Sequence, residues 1–123
     1  MVSLTILLVD DEPQLSRAVL DLLALLGHRS TWAAGVAEGY DAVLAERFDA
    51  LLLDLNLGLE RGENLIERIR LDSVRVPPVV IFSAQPQTDL EESARRIGAA
   101  RILRKPCDMR SLEAALHEAT KIN

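Results

Sequence analysis

Five polar residues stand just past short apolar runs. Asp10 and Asp11 follow "TILLV", Asp54 follows "ALLL", Ser83 follows "VVIF", and Lys105 closes "ILRK". Three aspartates gathered in one cleft would repel and raise one another's pKa unless a cation sat among them. Their oxygens suit a hard divalent ion such as Mg²⁺, which takes few carboxylates and keeps several waters. An ion held that way can also take a phosphoryl oxygen. A carboxylate is itself a nucleophile toward phosphorus and becomes an acyl phosphate. Asp54 is the candidate nucleophile, because it stands alone at the end of its run. Lys105 would neutralise a phosphoryl oxygen, and the Ser83 hydroxyl would hydrogen-bond another.

That chemistry requires the ends of the apolar runs to meet. "LTILLV" (4–9), "HRSTWAA" (28–34), "DALLLD" (49–54), "VVIFS" (79–83) and "ARILR" (100–104) have strand length. Helical spacing separates them. After Pro13, Leu15, Val19, Leu22 and Leu26 recur until Gly27 stops the first helix. Val36, Tyr40, Val43 and Phe48 predict a second helix, and Leu65, Ile66 and Ile69 a third after Gly62. Thr88 and Glu91 form a capping box for a fourth, with Leu90, Ala94 and Ile97 inward. Asp108 caps a fifth, whose Met109, Leu112, Leu116 and Ala119 share one face.

Five β–α repeats imply an α/β fold, a doubly wound (βα)5 parallel sheet with helices on both faces. The first, third and fourth strands are continuously apolar, as central strands are. The second and fifth carry Arg29, Ser30, Arg101 and Arg104, which suits edges. The order 2-1-3-4-5 satisfies both conditions and opens a crevice between strands one and three, beyond their carboxyl ends. Asp10, Asp11 and Asp54 would converge there, with Ser83 and Lys105 beside them.

Composition sets the limits. A chain of 123 residues, 49% hydrophobic and 3% aromatic, predicts one domain over 1–123 with an aliphatic core. The net charge of −5 argues against nonspecific nucleic-acid binding. Residues 1–60 hold ten acids and three bases, so an acidic site belongs to that half. A single cysteine, Cys107, excludes an internal disulfide and points to the cytoplasm; no apolar run is long enough to span a membrane.

At these residues the chain resembles the receiver domains of two-component response regulators. The acidic pair in "LLVDDE", Asp54 with Gly62 eight residues later, "SA" at 83–84 and "KP" at 105–106 carry the resemblance, each after its own strand. The resemblance implies a CheY-like, flavodoxin-like fold. It further implies a signalling domain, not an enzyme, in which Asp54 accepts a phosphoryl group from a histidine kinase or a histidine phosphotransfer protein. It assigns Mg²⁺ to Asp11, Asp54 and the carbonyl of Asn56, with Asp10 helping through water, and leaves Ser83 and Lys105 to sense the phosphoryl group. A cis Lys105–Pro106 bond is also implied. A downstream protein or an output domain would read the result, with no direct nucleic-acid or membrane contact by this domain. Some positions depart from the family pattern: Ile102 stands at its switch aromatic, Gly58 at a frequent proline, and Cys107 at a frequent phenylalanine.

Other readings fit the same residues. Asp11 or Glu12 could cap the first helix. A Mg²⁺-dependent phosphohydrolase with an aspartyl nucleophile would want a second aspartate where Asn56 stands. A degenerate receiver would serve only as an interaction module. His28 and His117 read as surface residues, Trp32 as packing, Cys107 as a small half-buried residue. The basic stretch 95–105 reads as a solvated face first and a partner face second.

Overall fold

The five long apolar runs pair as one parallel sheet. Its strands are β1 (Thr5–Val9), β2 (Arg29–Ala33), β3 (Ala50–Leu53), β6 (Val79–Ser83) and β7 (Arg101–Arg104), in the order β2-β1-β3-β6-β7. This is the expected 2-1-3-4-5, because a two-stranded hairpin, β4 (Asn56–Leu57) and β5 (Glu60–Arg61), supplies the extra numbers. The helices are α1 (Pro13–Leu25), α2 (Val36–Ala45), α3 (Glu63–Leu71), α4 (Gln87–Ile97) and α5 (Met109–Thr120). The structure is a computed structural model and describes residues 2–121. Among these no helix is long and apolar enough to cross a membrane.

Strand periodicity of two divides the core. Leu7, Val9, Leu51, Leu53, Val79 and Ile81 face α2, α3 and α4, where they meet Tyr40, Leu65, Ile66, Ile69, Leu90 and Ile97. Ile6, Leu8, Leu52, Val80, Phe82 and Leu103 face α1 and α5, against Val19, Leu23, Leu112 and Leu116. Every residue of β3 and β6 is buried, whereas β2 and β7 each expose an arginine, as edge strands do.

Several local expectations are corrected. His28 is buried, not on the surface: its Nδ1 accepts the Leu4 amide at 3.0 Å and its Nε2 lies 3.1 Å from Glu113 Oε1. With both ring nitrogens partnered, imidazole can be buried. α2 ends at Ala45, so Phe48 enters the core from the following loop. No capping box forms at Thr88, because α4 begins one residue earlier behind Pro86 without a side-chain cap. Met109 is exposed, while Leu112 and Leu116 are buried as expected. Glu12 stands at the α1 N-cap and makes no capping bond; Asp108 does cap α5, accepting from the Ser111 amide at 2.7 Å.

The β4–β5 hairpin folds back so that Gly62 lies against the chain leaving β3. Its amide donates to the Leu55 carbonyl at 2.9 Å. A side chain at 62 would begin on top of the Asp54 carbonyl oxygen, too close for any Cβ. Backbone on backbone cannot move aside cheaply. Gly62→Ala should therefore lose about 1–3 kcal/mol, the usual cost of forcing extra volume into packed structure. Equal urea midpoints for the variant and the parent chain would show that the hairpin yields instead.

Candidate functional site

The sheet ladder continues one residue past three of its strands, and that alignment gathers the site. The Asp10 amide donates to Ala33 at 3.1 Å, the Asp54 amide to Val9 at 2.9 Å, and the Lys105 amide to Ser83 at 2.9 Å. Asp10, Asp54 and Lys105 also share side-chain parity with Leu8, Leu52 and Leu103, so they rise from the α1/α5 face of the sheet. Ser83 has the opposite parity, that of Ile81, and belongs to the face covered by α3 and α4.

The Lys105 ammonium bridges two carboxylates, 2.6 Å from Asp10 Oδ2 and 2.9 Å from Asp54 Oδ2. It also lies 5.0 Å from the centre of the Phe82 ring, which adds a cation–π contact. The Lys105–Pro106 peptide is cis, as the resemblance implied. The remaining oxygens are used as well: Asp10 Oδ1 accepts the Glu12 amide at 2.9 Å and Asp54 Oδ1 the Asn56 amide at 3.0 Å. Asp10 is 1% exposed and Asp54 7%, whereas Asp11 stands exposed at the rim. The Ser83 hydroxyl accepts the Gln85 amide at 3.3 Å.

These contacts set the charge states. Burial pushes the Asp54 carboxyl above the usual aspartate range, against the opposing pull of the Asn56 amide and Lys105. Burial also works against the lysine's charge, but its bonds to Asp10 and Asp54 and their negative charge outweigh it, so its pKa is raised. Half-burial raises the Cys107 thiol, which marks it as a packed and unreactive residue.

Every residue expected at the site is here. Asp11, Asp54, Asn56, Ser83 and Lys105 line a cleft of about 460 Å³, with Asp10 beneath. A larger groove of about 950 Å³ lies at the other end of the sheet, around Leu4, Phe48, Pro78 and His117. Among the described residues it holds no comparable set of acids, and its buried His28 is already partnered, so the smaller cleft is the candidate site. Oxygens of Asp10, Asp11 and Asp54 lie within 4.8 Å of one another. Against three carboxylates stands one ammonium, which leaves two negative charges on hard oxygen donors. That is a fit for Mg²⁺.

Trp32 is the residue that sequence reasoning undervalued. Its indole N–H donates to the Asp10 carbonyl at 2.7 Å from the neighbouring edge strand. A tryptophan next to the last residue of a strand carried no signal of that role.

The family model of the response regulator receiver domain matches residues 6–117. The transcriptional regulatory protein CrdR of Helicobacter pylori is 32% identical over 111 residues, covering 90% of this chain and 52% of the regulator. The chain thus spans about half the length of that relative. The chemotaxis protein CheY4 of Vibrio cholerae superposes with a TM-score of 0.87 at 22% identity, over 96% of this chain and 99% of that one. The receiver domain of the sensor histidine kinase PA1611 from Pseudomonas aeruginosa, with a magnesium ion coordinated in its active-site cleft, gives 0.84 at 26% identity, over 97% and 98%.

Two outcomes follow from the charges. Raised in the fold, the Asp54 pKa gives stability present below the ordinary aspartate pKa and lost as pH rises through the raised value. In Mg²⁺-free buffer Asp54→Asn should therefore melt above the parent chain at pH 7, and the gap should close as the solution is acidified. A variant melting lower at pH 7 would mean that the Lys105 pairing outweighs burial. Trp32, the only tryptophan, touches the carbonyl of Asp10. Mg²⁺ should change its emission saturably, and Asp11→Ala should weaken that response at least tenfold in concentration.

Proposed function

This chain belongs to the response regulator receiver domain family, and we propose that it is a phosphorylation-switched signalling domain with Asp54 as phosphoacceptor. The observation that carries the reading is the Asp54 carboxylate itself. It is almost buried at the end of a central strand, beside two further aspartates, with Lys105 and the Asn56 amide holding its two oxygens.

In the proposed reaction a carboxylate oxygen of Asp54 attacks the phosphorus of a donor phosphohistidine. The new P–O bond forms as the P–N bond breaks, and the electron pair leaves with the imidazole. Asp10, Asp11, Asp54 and the Asn56 carbonyl would hold Mg²⁺, which supplies positive charge for the phosphoryl oxygens. Lys105 is already against Asp54 and moves its hydrogen bond to a phosphoryl oxygen. Ser83, on the other face of the sheet, offers its hydroxyl to another. Because Ser83 begins the loop into α4, phosphoryl capture there pulls on residues 84–87, all exposed. Ile102 is half-buried and aliphatic, so this movement cannot rest on an aromatic ring turning at that position. Arg95 and Arg96 near the end of α4 and Arg104 at the end of β7, opposite Ser83, are exposed and offer basic groups to a downstream reader, while Arg101 is already paired with Glu118 at 2.9 Å.

The donor is a histidine kinase or histidine phosphotransfer protein, which places the domain in the cytoplasm. The reader is a downstream protein or an output domain, and this domain itself touches neither nucleic acid nor membrane. A phosphohydrolase reading is less well supported, because Asn56 offers an amide where that chemistry needs a carboxyl group.

Incubation with Mg²⁺ and acetyl phosphate should give a phosphoryl adduct by intact mass. The adduct should vanish in Asp54→Asn and form at least tenfold more slowly in Lys105→Ala. An adduct persisting at the parent level in Asp54→Asn would move the phosphoacceptor elsewhere.

A further inference from the structure

A buried carboxylate outside the cleft joins the loop after Asp54 to α4. Glu63 opens α3 and is 3% exposed. Its Oε2 accepts from Arg61 Nη2 at 2.8 Å and from the Ser93 hydroxyl at 3.1 Å, so one oxygen binds both the hairpin and α4. Its Oε1 is buried with no hydrogen-bond partner among the described residues. Burial alone would raise its pKa, but its own amide, Arg61 and Ser93 outweigh that and hold it below the usual glutamate range. The group is held charged, and its Oε1 meets no donor within hydrogen-bond geometry among the described residues.

Such a carboxylate holds its surroundings weakly. The Arg61 side chain is largely exposed, so the ion pair by itself contributes little. An unfilled acceptor on a buried charge favours any rearrangement that brings it a donor. The contact is therefore suited to exchanging partners.

Its position gives that exchange a cause. Asp54 Oδ1 holds the Asn56 amide, Asn56 pairs with Arg61 across the hairpin, Arg61 binds Glu63, and Glu63 binds Ser93 of α4. None of these contacts involves Ser83 or Lys105. We infer that Glu63 is a positioning residue that carries a change at Asp54 to α4 through the hairpin, by a route separate from Ser83. The inference rests on the phosphoacceptor reading of Asp54. When a phosphoryl group is attached to the carboxylate, the Asn56 amide loses its geometry, the hairpin shifts, and Glu63 redistributes its two oxygens between Arg61 and Ser93.

The test is hydrogen exchange of residues 87–97 with and without Mg²⁺ and beryllium fluoride, an acyl-phosphate mimic. In Ser93→Ala the mimic-induced change in α4 protection should fall at least threefold, while acetyl phosphate still modifies Asp54 at the parent level. Ser93→Thr, which keeps the hydroxyl, should restore the response. Glu63→Gln should lose it too, and the two losses combined should not exceed the larger. A full α4 response in both Ser93→Ala and Glu63→Gln would overturn the route. Absence of any adduct in the parent chain would instead overturn the phosphoacceptor reading beneath it.

Discussion

One ammonium shared between two buried carboxylates organises this molecule. Without Lys105, Asp10 and Asp54 would face each other unpaired at the end of a greasy sheet, where isolated charge is costly. With it, two neighbouring strands and the far edge strand are tied at one point by bonds of 2.6 and 2.9 Å. The bridge is also incomplete, since it balances one of three negative charges and leaves Asp11 at the rim. The site is therefore partly neutralised by its own lysine and still acidic enough to take a divalent cation.

The sheet makes this possible by keeping two cores apart. The acids and the lysine share the α1/α5 face with Phe82 and Leu103, while Ser83 and the hairpin belong with α3 and α4. Asp10, Asp54 and Lys105 on one side, and Ser83 with the hairpin on the other, thus draw on opposite faces of the same few strands.

Much of this was legible in the sequence, for a physical reason. Asp54 is visible because a polar residue after Leu51, Leu52 and Leu53 can only be the end of a buried strand. Strand order was readable because Arg29, Arg101 and Arg104 need solvent. Gly62 was visible only as a spacing; its cause, the Asp54 carbonyl pressed against it, needs coordinates. What stayed hidden depends on distant partners. His28 looks like a surface residue until Leu4 and Glu113 supply bonds across 24 and 85 residues. Glu63 reads as an ordinary first-turn acid, and strands of two residues, as in the hairpin, have no period to detect.

The alternation of side chains along β1, β3 and β7 has a consequence for how such a sequence can vary. Leu8 and Asp10, Leu52 and Asp54, and Leu103 and Lys105 each sit two residues apart on the same face of the sheet. Exchanging leucine for isoleucine or valine within a run leaves that count intact. Deleting or inserting one residue between the core position and the charge turns the charge through the sheet to the wrong side. Each of the three functional groups is thus guarded by a parity rule, and the chain can drift in composition far more freely than in length.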